Sequence, residues 1–417
     1  MRVLISAYGF SPYRGSECAV GWNIAKELSQ FHDVTVITGD VKDNGFESEF
    51  PKYVKEQGAI KGLTVIFIKP TRLIRIIEKL HDFPGLWALY YVAYNLWQRV
   101  AFKKAQNLHE RQPFDVVHHL TMIGYREPGY MWKLGIPFFW GPVGGSVNEP
   151  LRFAKIYSTA GKVKSVIRYV INGCQKRILM RPKIAAQKAR KIWAVTSDDV
   201  ETISKIWGLQ CEQMIETAAT QVLNAKIKSW TGESPLRLVW SGTHTYGKAM
   251  PILMYAIVSV RRNNIYGGKI QVDVLGKGDE TSKWKQLAKN LGLDDSFNWI
   301  GYVSREKALT IMNDAHLLVF TSVKEGTPHV VLEALSLGLP VVCHDACGMG
   351  CVVNEKCGFK VPMINPDTSI KGFAAAISNV IANPEVVAVK SREALRVAND
   401  LTWHQKATVF SAAYKSL

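Results

Sequence analysis

Two carboxylates, Glu325 and Glu333, stand eight residues apart in Lys324-Glu325-Gly326-Thr327-Pro328-His329-Val330-Val331-Leu332-Glu333-Ala334-Leu335. Thr327 is expected to cap a helix whose first residue is Pro328. That helix should end near Gly338, before Pro340 opens a strand. The free N–H groups at its start suit an anion such as a diphosphate. Glu325 falls in the loop, whereas Glu333 falls inside a helix that is apolar nearly all round. A carboxylate in such surroundings needs partners. Ribose hydroxyls would satisfy Glu333, and hydroxyls of a sugar beyond the phosphates would satisfy Glu325. Cations belonging to the fold are the alternative partners for both.

Other groups cluster at expected strand ends. Asp115-Val116-Val117-His118-His119 places two histidines there, for a hydrogen bond to a substrate or as packed core residues. Leu275-Gly276-Lys277-Gly278-Asp279 and Gly301-Tyr302-Val303-Ser304 combine glycines with a strand end. Glycine there lets backbone approach a flat base, and the N–H and carbonyl of Val303 could read its edge. The loop Tyr8–Gly21 holds Gly9, Gly15 and Gly21 but lacks G-x-G-x-x-G, which argues against a dinucleotide site. Four of the seven cysteines fall in Cys343–Cys357 with spacing C-x3-C-x3-C-x5-C, which reads as buried thiols rather than a zinc site.

The elements that must position these groups alternate short β-branched runs with longer helical patterns, the signature of parallel α/β construction. Arg2–Ala7, Val34–Thr38, Val65–Ile68, Val116–His118, Phe138–Trp140 and Ile192–Thr196 read as strands of a first sheet. Leu236–Ser241, Ile270–Leu275, Asn298–Gly301, Leu317–Phe320 and Pro340–His344 read as a second. The turn-rich stretch Leu209–Pro235 separates them, giving domains 1–215 and 216–399 and a closing segment 400–417. Ligands of parallel sheets bind beyond the carboxyl ends of the strands, so two such units are expected to face each other across a cleft.

Length and composition agree. The 417 residues are 47% hydrophobic and 21% charged, enough for two or three packed domains and not for a disordered chain. No apolar run reaches the ~20 residues of a spanning helix, and the start reads as a strand rather than a leader, so a cytoplasmic location is expected. An odd cysteine count fits a reducing compartment. Of the formal charge of +17, residues 1–215 carry +12, and Arg152–Lys191 holds twelve basic residues and no acid. Such a stripe attracts nucleic acid or an anionic membrane, or is simply a solvated face. Trp87, Tyr90, Tyr91, Tyr94, Trp97 and Phe102 interleave with Arg99, Lys103 and Lys104, as interfacial helices do, although a stripe at helical spacing also describes a core face.

The Glu-x7-Glu pair around Gly-Thr-Pro resembles the family 4 retaining glycosyltransferases, which have the two-domain GT-B fold. Gly15-Ser16-Glu17 with Gly21-Trp22, Arg126-Glu127-Pro128, Trp140-Gly141-Pro142-Val143-Gly144-Gly145, His344-Asp345-Ala346-Cys347-Gly348-Met349 and Leu401-Thr402-Trp403 resemble bacterial exopolysaccharide members, in order along the chain. The resemblance implies a sugar transferred from a uridine- or guanosine-diphosphate donor, without cofactor or metal, to a polysaccharide or lipid-linked oligosaccharide. It implies catalytic roles for His118, Glu325 and Lys248. Donor contacts would come from Gly15, Ser16, Thr243, Gly276, Val303, Gly326, Thr327, Pro328 and Glu333, and acceptor contacts from Glu17, His119 and Arg126. The closing helix would pack back toward the first domain, and the enzyme would work at the inner face of the membrane. One departure stands out: Ser241-Gly242-Thr243-His244-Thr245-Tyr246-Gly247-Lys248 keeps the family's lysine but has Thr243 where an arginine is usual. Another GT-B enzyme, such as an epimerase or phosphorylase, and a nucleic-acid-binding protein are the alternatives; acids in the cleft speak against the last.

Overall fold

The structure, a computed structural model, describes residues 1–39, 46–81, 83, 85–86, 88–157, 159–220, 225–262 and 269–417. Strands of the first unit are β1 (Arg2–Ala7), β2 (Asp33–Gly39), β3 (Leu63–Ile68), β4 (Val116–Thr121), β5 (Phe138–Val143), β6 (Ala189–Ala194) and β7 (Glu212–Gln213). Those of the second are β8 (Leu236–Ser241), β9 (Ile270–Leu275), β10 (Phe297–Gly301), β11 (Leu317–Phe320), β12 (Val341–His344) and β13 (Gly358–Val361). Each set forms one parallel sheet, in the orders β3-β2-β1-β4-β5-β6-β7 and β10-β9-β8-β11-β12-β13. Central strands such as Leu317–Phe320 are buried along their whole length, because helices cover both faces of a parallel sheet.

Both orders are doubly wound, with the direction of winding reversing between β1 and β4 and again between β8 and β11. Loops leaving the carboxyl ends of those strand pairs diverge and leave a crevice where ligands bind. In the first unit these loops carry Gly9–Gly15, which runs into the helix that begins at Ser16 and Glu17, and Met122–Arg126. In the second they carry Gly242–Lys248 and Thr321–Pro328.

The chain divides into Met1–Ser146, Gln175–Thr217 and Trp403–Leu417 on one side, and Val147–Cys174 and Ala218–Thr402 on the other. This differs from contiguous domains 1–215 and 216–399. Residues 147–174 group with the second unit because Phe153 and Tyr157 are buried in a core with Trp230, Leu236, Leu238 and Trp240. Residues 221–224 of the expected boundary lie outside the described residues.

One local reading is corrected, and one left open between two alternatives is decided. Thr196 does not close a strand: it caps the helix Ser197–Glu201, its hydroxyl accepting from the Asp199 N–H while the Asp199 carboxylate accepts from the Thr196 N–H. The aromatic stripe on the helix Leu89–Arg111 is a core face. Tyr94, Trp97 and Ala101 are buried, the first two against Tyr8, and Trp97 donates to the Ile68 carbonyl at 3.2 Å. Trp87 lies outside the described residues. Among the described residues no single helix is long and apolar enough to cross a membrane.

Candidate active site

In the second unit the chain leaves β8 through Gly242, whose N–H bonds the Leu275 carbonyl at 3.2 Å. Gly276 has φ +106°, and a Cβ there would overlap the Gly242 carbonyl, so only glycine lets the loops after β8 and β9 lie this close. His244 is clamped across the gap, its N–H on the Lys277 carbonyl and its Nδ1 bonded to the Thr281 hydroxyl at 2.8 Å. Thr243 beside it is exposed. A single helical turn, Tyr246–Lys248, then ends at Ala249 in the left-handed conformation, before the helix Met250–Arg262.

This turn brings Lys248 onto the loop after β11. Its Nζ is ion-paired with Glu325 Oε1, which also accepts from the Ser322 hydroxyl at 2.6 Å. The backbone beneath is tied together: Val323 N–H donates to the Gly247 carbonyl, and the Thr321 hydroxyl to the Lys248 carbonyl. Lys248 and Glu325 are each about four-fifths covered, with side-chain exposures of 19% and 18%, so one charge without the other would be costly. The loop Gly326–Thr327 is braced from behind by Gly348, whose N–H donates to the Gly326 carbonyl at 2.9 Å.

The helix after this loop spans His329–Ser336, with Pro328 rather than Thr327 at the capping position. Thr327 is buried one residue before the cap, a register one step later than expected from sequence. Glu333 lies on this helix beside Arg305, whose Nε donates to Glu333 Oε1 at 2.6 Å. Both acids of the pair therefore have a cation on one oxygen, the alternative weighed for them from sequence. Val303 lies in the loop before Arg305 and is half-buried, and Tyr302 beside it is 77% exposed.

In the first unit, Gly15 precedes the helix Ser16–Leu28, with Ser16 at φ +54°. Glu17 Oε1 accepts from the Ile123 N–H at 3.2 Å, joining the loops after β1 and β4. Burial pushes its carboxyl up to about 7, the Ile123 bond offsetting only part of this. Arg126 is held by Gln175 Oε1 at 2.6 Å and by the Gly145 carbonyl at 3.2 Å. Glu17, Ser16 and Arg126 thus collect at the β1/β4 reversal.

The two histidines do not join them. His118 is fully buried, bonded through Nδ1 to the Tyr414 hydroxyl at 2.5 Å and through Nε2 to the Gly141 carbonyl at 2.7 Å. Phe139, Trp193 and Phe410 surround it. With both ring nitrogens engaged in the core, His118 fixes the closing helix Trp403–Lys415 to the first sheet, and the catalytic role expected for it is corrected to a structural one. His119 is buried on the opposite face of the strand. Burial pushes His118 down to about 4 and His119 to about 3, so both are neutral.

Three contributors escaped the sequence reading. Ser322 could have been found, since a hydroxyl three residues before Glu325 can turn back on it. Arg305 and Thr321 gave no local signal; Arg305 is 28 residues from Glu333 in sequence. Cys343, Cys347 and Cys357 are buried free thiols and Cys351 is exposed.

Residues 228–398, within the second unit, match the family described as glycosyl transferases group 1. An uncharacterized glycosyltransferase of Haemophilus influenzae is 31% identical over 110 residues, which are 25% of this chain and 30% of that protein. The match therefore spans about a third of that relative's length. Among solved structures, the lipopolysaccharide outer core galactosyltransferase WaaB is similar with a TM-score of 0.65 at 13% identity, over 100% of this chain and 99% of that one. HepE of Anabaena, solved in complex with UDP, is similar with a TM-score of 0.63 at 14% identity, over 100% of both chains. The fold is the two-domain GT-B fold of these glycosyltransferases.

Proposed function

We propose that the chain is a retaining glycosyltransferase of family 4. It moves a hexosyl group from a uridine- or guanosine-diphosphate sugar to a surface polysaccharide or lipid-linked oligosaccharide. The carrying observation is the Lys248–Glu325 pair where the second sheet reverses direction, with the Arg305–Glu333 pair one helix turn and a half beyond. WaaB acts in lipopolysaccharide synthesis and HepE was solved with UDP, which supports the acceptor class and the base.

In this reading Glu333 takes ribose hydroxyls, and the loop Gly326–Pro328 with the first N–H groups of its helix faces the diphosphate. Lys248 neutralises the charge that develops as the bond from the sugar to the diphosphate breaks, a role filled here without metal. Glu325 accepts from hydroxyls of the transferring sugar. The acceptor hydroxyl attacks the face the diphosphate leaves, and its proton passes to a departing phosphate oxygen. Glu17 and Arg126 at the β1/β4 reversal orient the acceptor. The enzyme works in the cytoplasm, held peripherally at the inner face of the plasma membrane.

A panel of nucleotide sugars read by thermal shift tests the donor class. The matching donor should raise Tm, since a ligand bound to the native state at a hundred times its Kd adds about 2.7 kcal/mol. Product stereochemistry, read by nuclear magnetic resonance, should keep the donor's anomeric configuration. Stabilisation by no nucleoside diphosphate sugar, or an inverted product, would contradict the reading.

A further inference from the structure

The helix Thr159–Ile178 is turned inside out. The residues it buries are Gly161, Ser165 and Asn172, one narrow stripe of small and polar side chains. Its outward arc carries Val163, Val166, Ile167, Val170 and Ile171, which are 54%, 46%, 53%, 56% and 43% exposed. At 100° per residue these five share one side of the helix, with Lys162 on one flank and Lys164 and Arg168 on the other. A surface helix of a water-soluble domain shows the reverse arrangement, and contiguous exposed apolar surface marks an interaction site.

We propose that this helix lies in the interface of an anionic bilayer, its valine and isoleucine side chains inserted below the headgroups and its lysines and arginines on the lipid phosphates. Charge selects this occupant. Arg152–Lys191 holds twelve basic residues and no acid, so every charged side chain on the helix that carries the apolar arc is a cation. A second copy docked face to face would set Lys162, Lys164 and Arg168 against themselves. A nucleic acid would neutralise the cations but has nothing to cover five aliphatic side chains. The helix is about 30 Å long and carries five cations, so it lies flat rather than spanning. This gives the membrane association proposed above its inserting element, and it does not depend on sugar transfer.

The test is sedimentation of the full chain with vesicles of phosphatidylcholine alone or with about a third phosphatidylglycerol. Wild type should bind the anionic vesicles and leave the neutral ones. Val163→Ser/Ile167→Ser/Val170→Ser keeps every charge and should lower partitioning about tenfold or more, as should Lys162→Gln/Lys164→Gln/Arg168→Gln. These side chains face solvent, so Tm should be unchanged; if the serine triple is unstable, Ile167→Ser alone should still weaken binding severalfold. Equal binding to neutral vesicles, or a serine triple that binds like wild type, would overturn the proposal. So would a lipid-free dimer that the serine triple dissociates, since a second copy would then cover the face. A chain that binds vesicles as described but transfers no sugar would leave this proposal standing and sink the enzymatic one.

Discussion

Lys248 and Glu325 are legible in sequence because each sits in a short motif, but their pairing is not, since it depends on how the loops after β8 and β11 meet. With Thr243 a neutral hydroxyl, no arginine at that position would share the diphosphate charge with Lys248 in the proposed site. Lys248→Ala should therefore lower kcat/KM by ~2–4 kcal/mol, roughly 30- to 1,000-fold, the scale of losing one preorganised donor to developing charge. Steady-state kinetics with the true donor check this; a fall under about threefold would reduce Lys248 to a structural partner of Glu325. Glu17 yields a prediction with the opposite pH sense from an ordinary ion-paired acid. Its carboxyl is raised from 4.5 to about 7 in the folded chain, which therefore holds a proton there that the unfolded chain has released. Its contribution is full below pH about 4.5 and declines as pH rises to about 7. Glu17→Gln should flatten that decline by about 1–2 kcal/mol, after a discount for partial exposure. Denaturant melts at several pH values measure it, and parallel curves for the two proteins would count against the assignment.

Parallel strands announce themselves as apolar runs, which is why β1, β8, β9 and β11 stand where the sequence places them. The strands that were missed, β7 and β13, are edge strands of two and four residues, one with no apolar residue and the other with only Phe359 and Val361 as large apolar residues. The loop carrying Glu325 depends on an element that no local pattern connects to it. Gly348, in the short helix Cys347–Val352, lies against this loop, and a Cβ there would overlap the Gly326 carbonyl and stand 2.5 Å from the Thr327 hydroxyl. Gly348→Ala should push the Glu325–Thr327 segment away, at a cost of about 1–3 kcal/mol in stability for overpacking. Donor binding should weaken with it, because the displaced segment carries the N–H groups proposed for the diphosphate. Calorimetric unfolding and donor titration on the variant check both, and a wild-type Tm with wild-type affinity would mean that the loop is not braced from this side.

At the scale of the whole molecule, the excursion of residues 147–174 into the second unit was not readable, because the partners of Phe153 and Tyr157 begin at Trp230. Phe153→Ala should cost about 3–5 kcal/mol as a buried aromatic truncation, and the loss should appear in the unfolding of the second unit. A scan in which only the first unit's transition moved would reassign the segment. Two acids on one loop and helix, each with a separate role, remain the centre of the account. Titration calorimetry of the matching nucleoside diphosphate into wild type, Glu333→Ala and Glu325→Ala tests it most directly. The account predicts that Glu333→Ala weakens binding by ~1.5–3 kcal/mol, about 10- to 150-fold, the range for hydrogen bonds to a charged group. It predicts that Glu325→Ala keeps most of the nucleotide affinity while losing turnover. Equal affinity in all three proteins with unchanged turnover would contradict it, and so would a wild type that binds no nucleoside diphosphate.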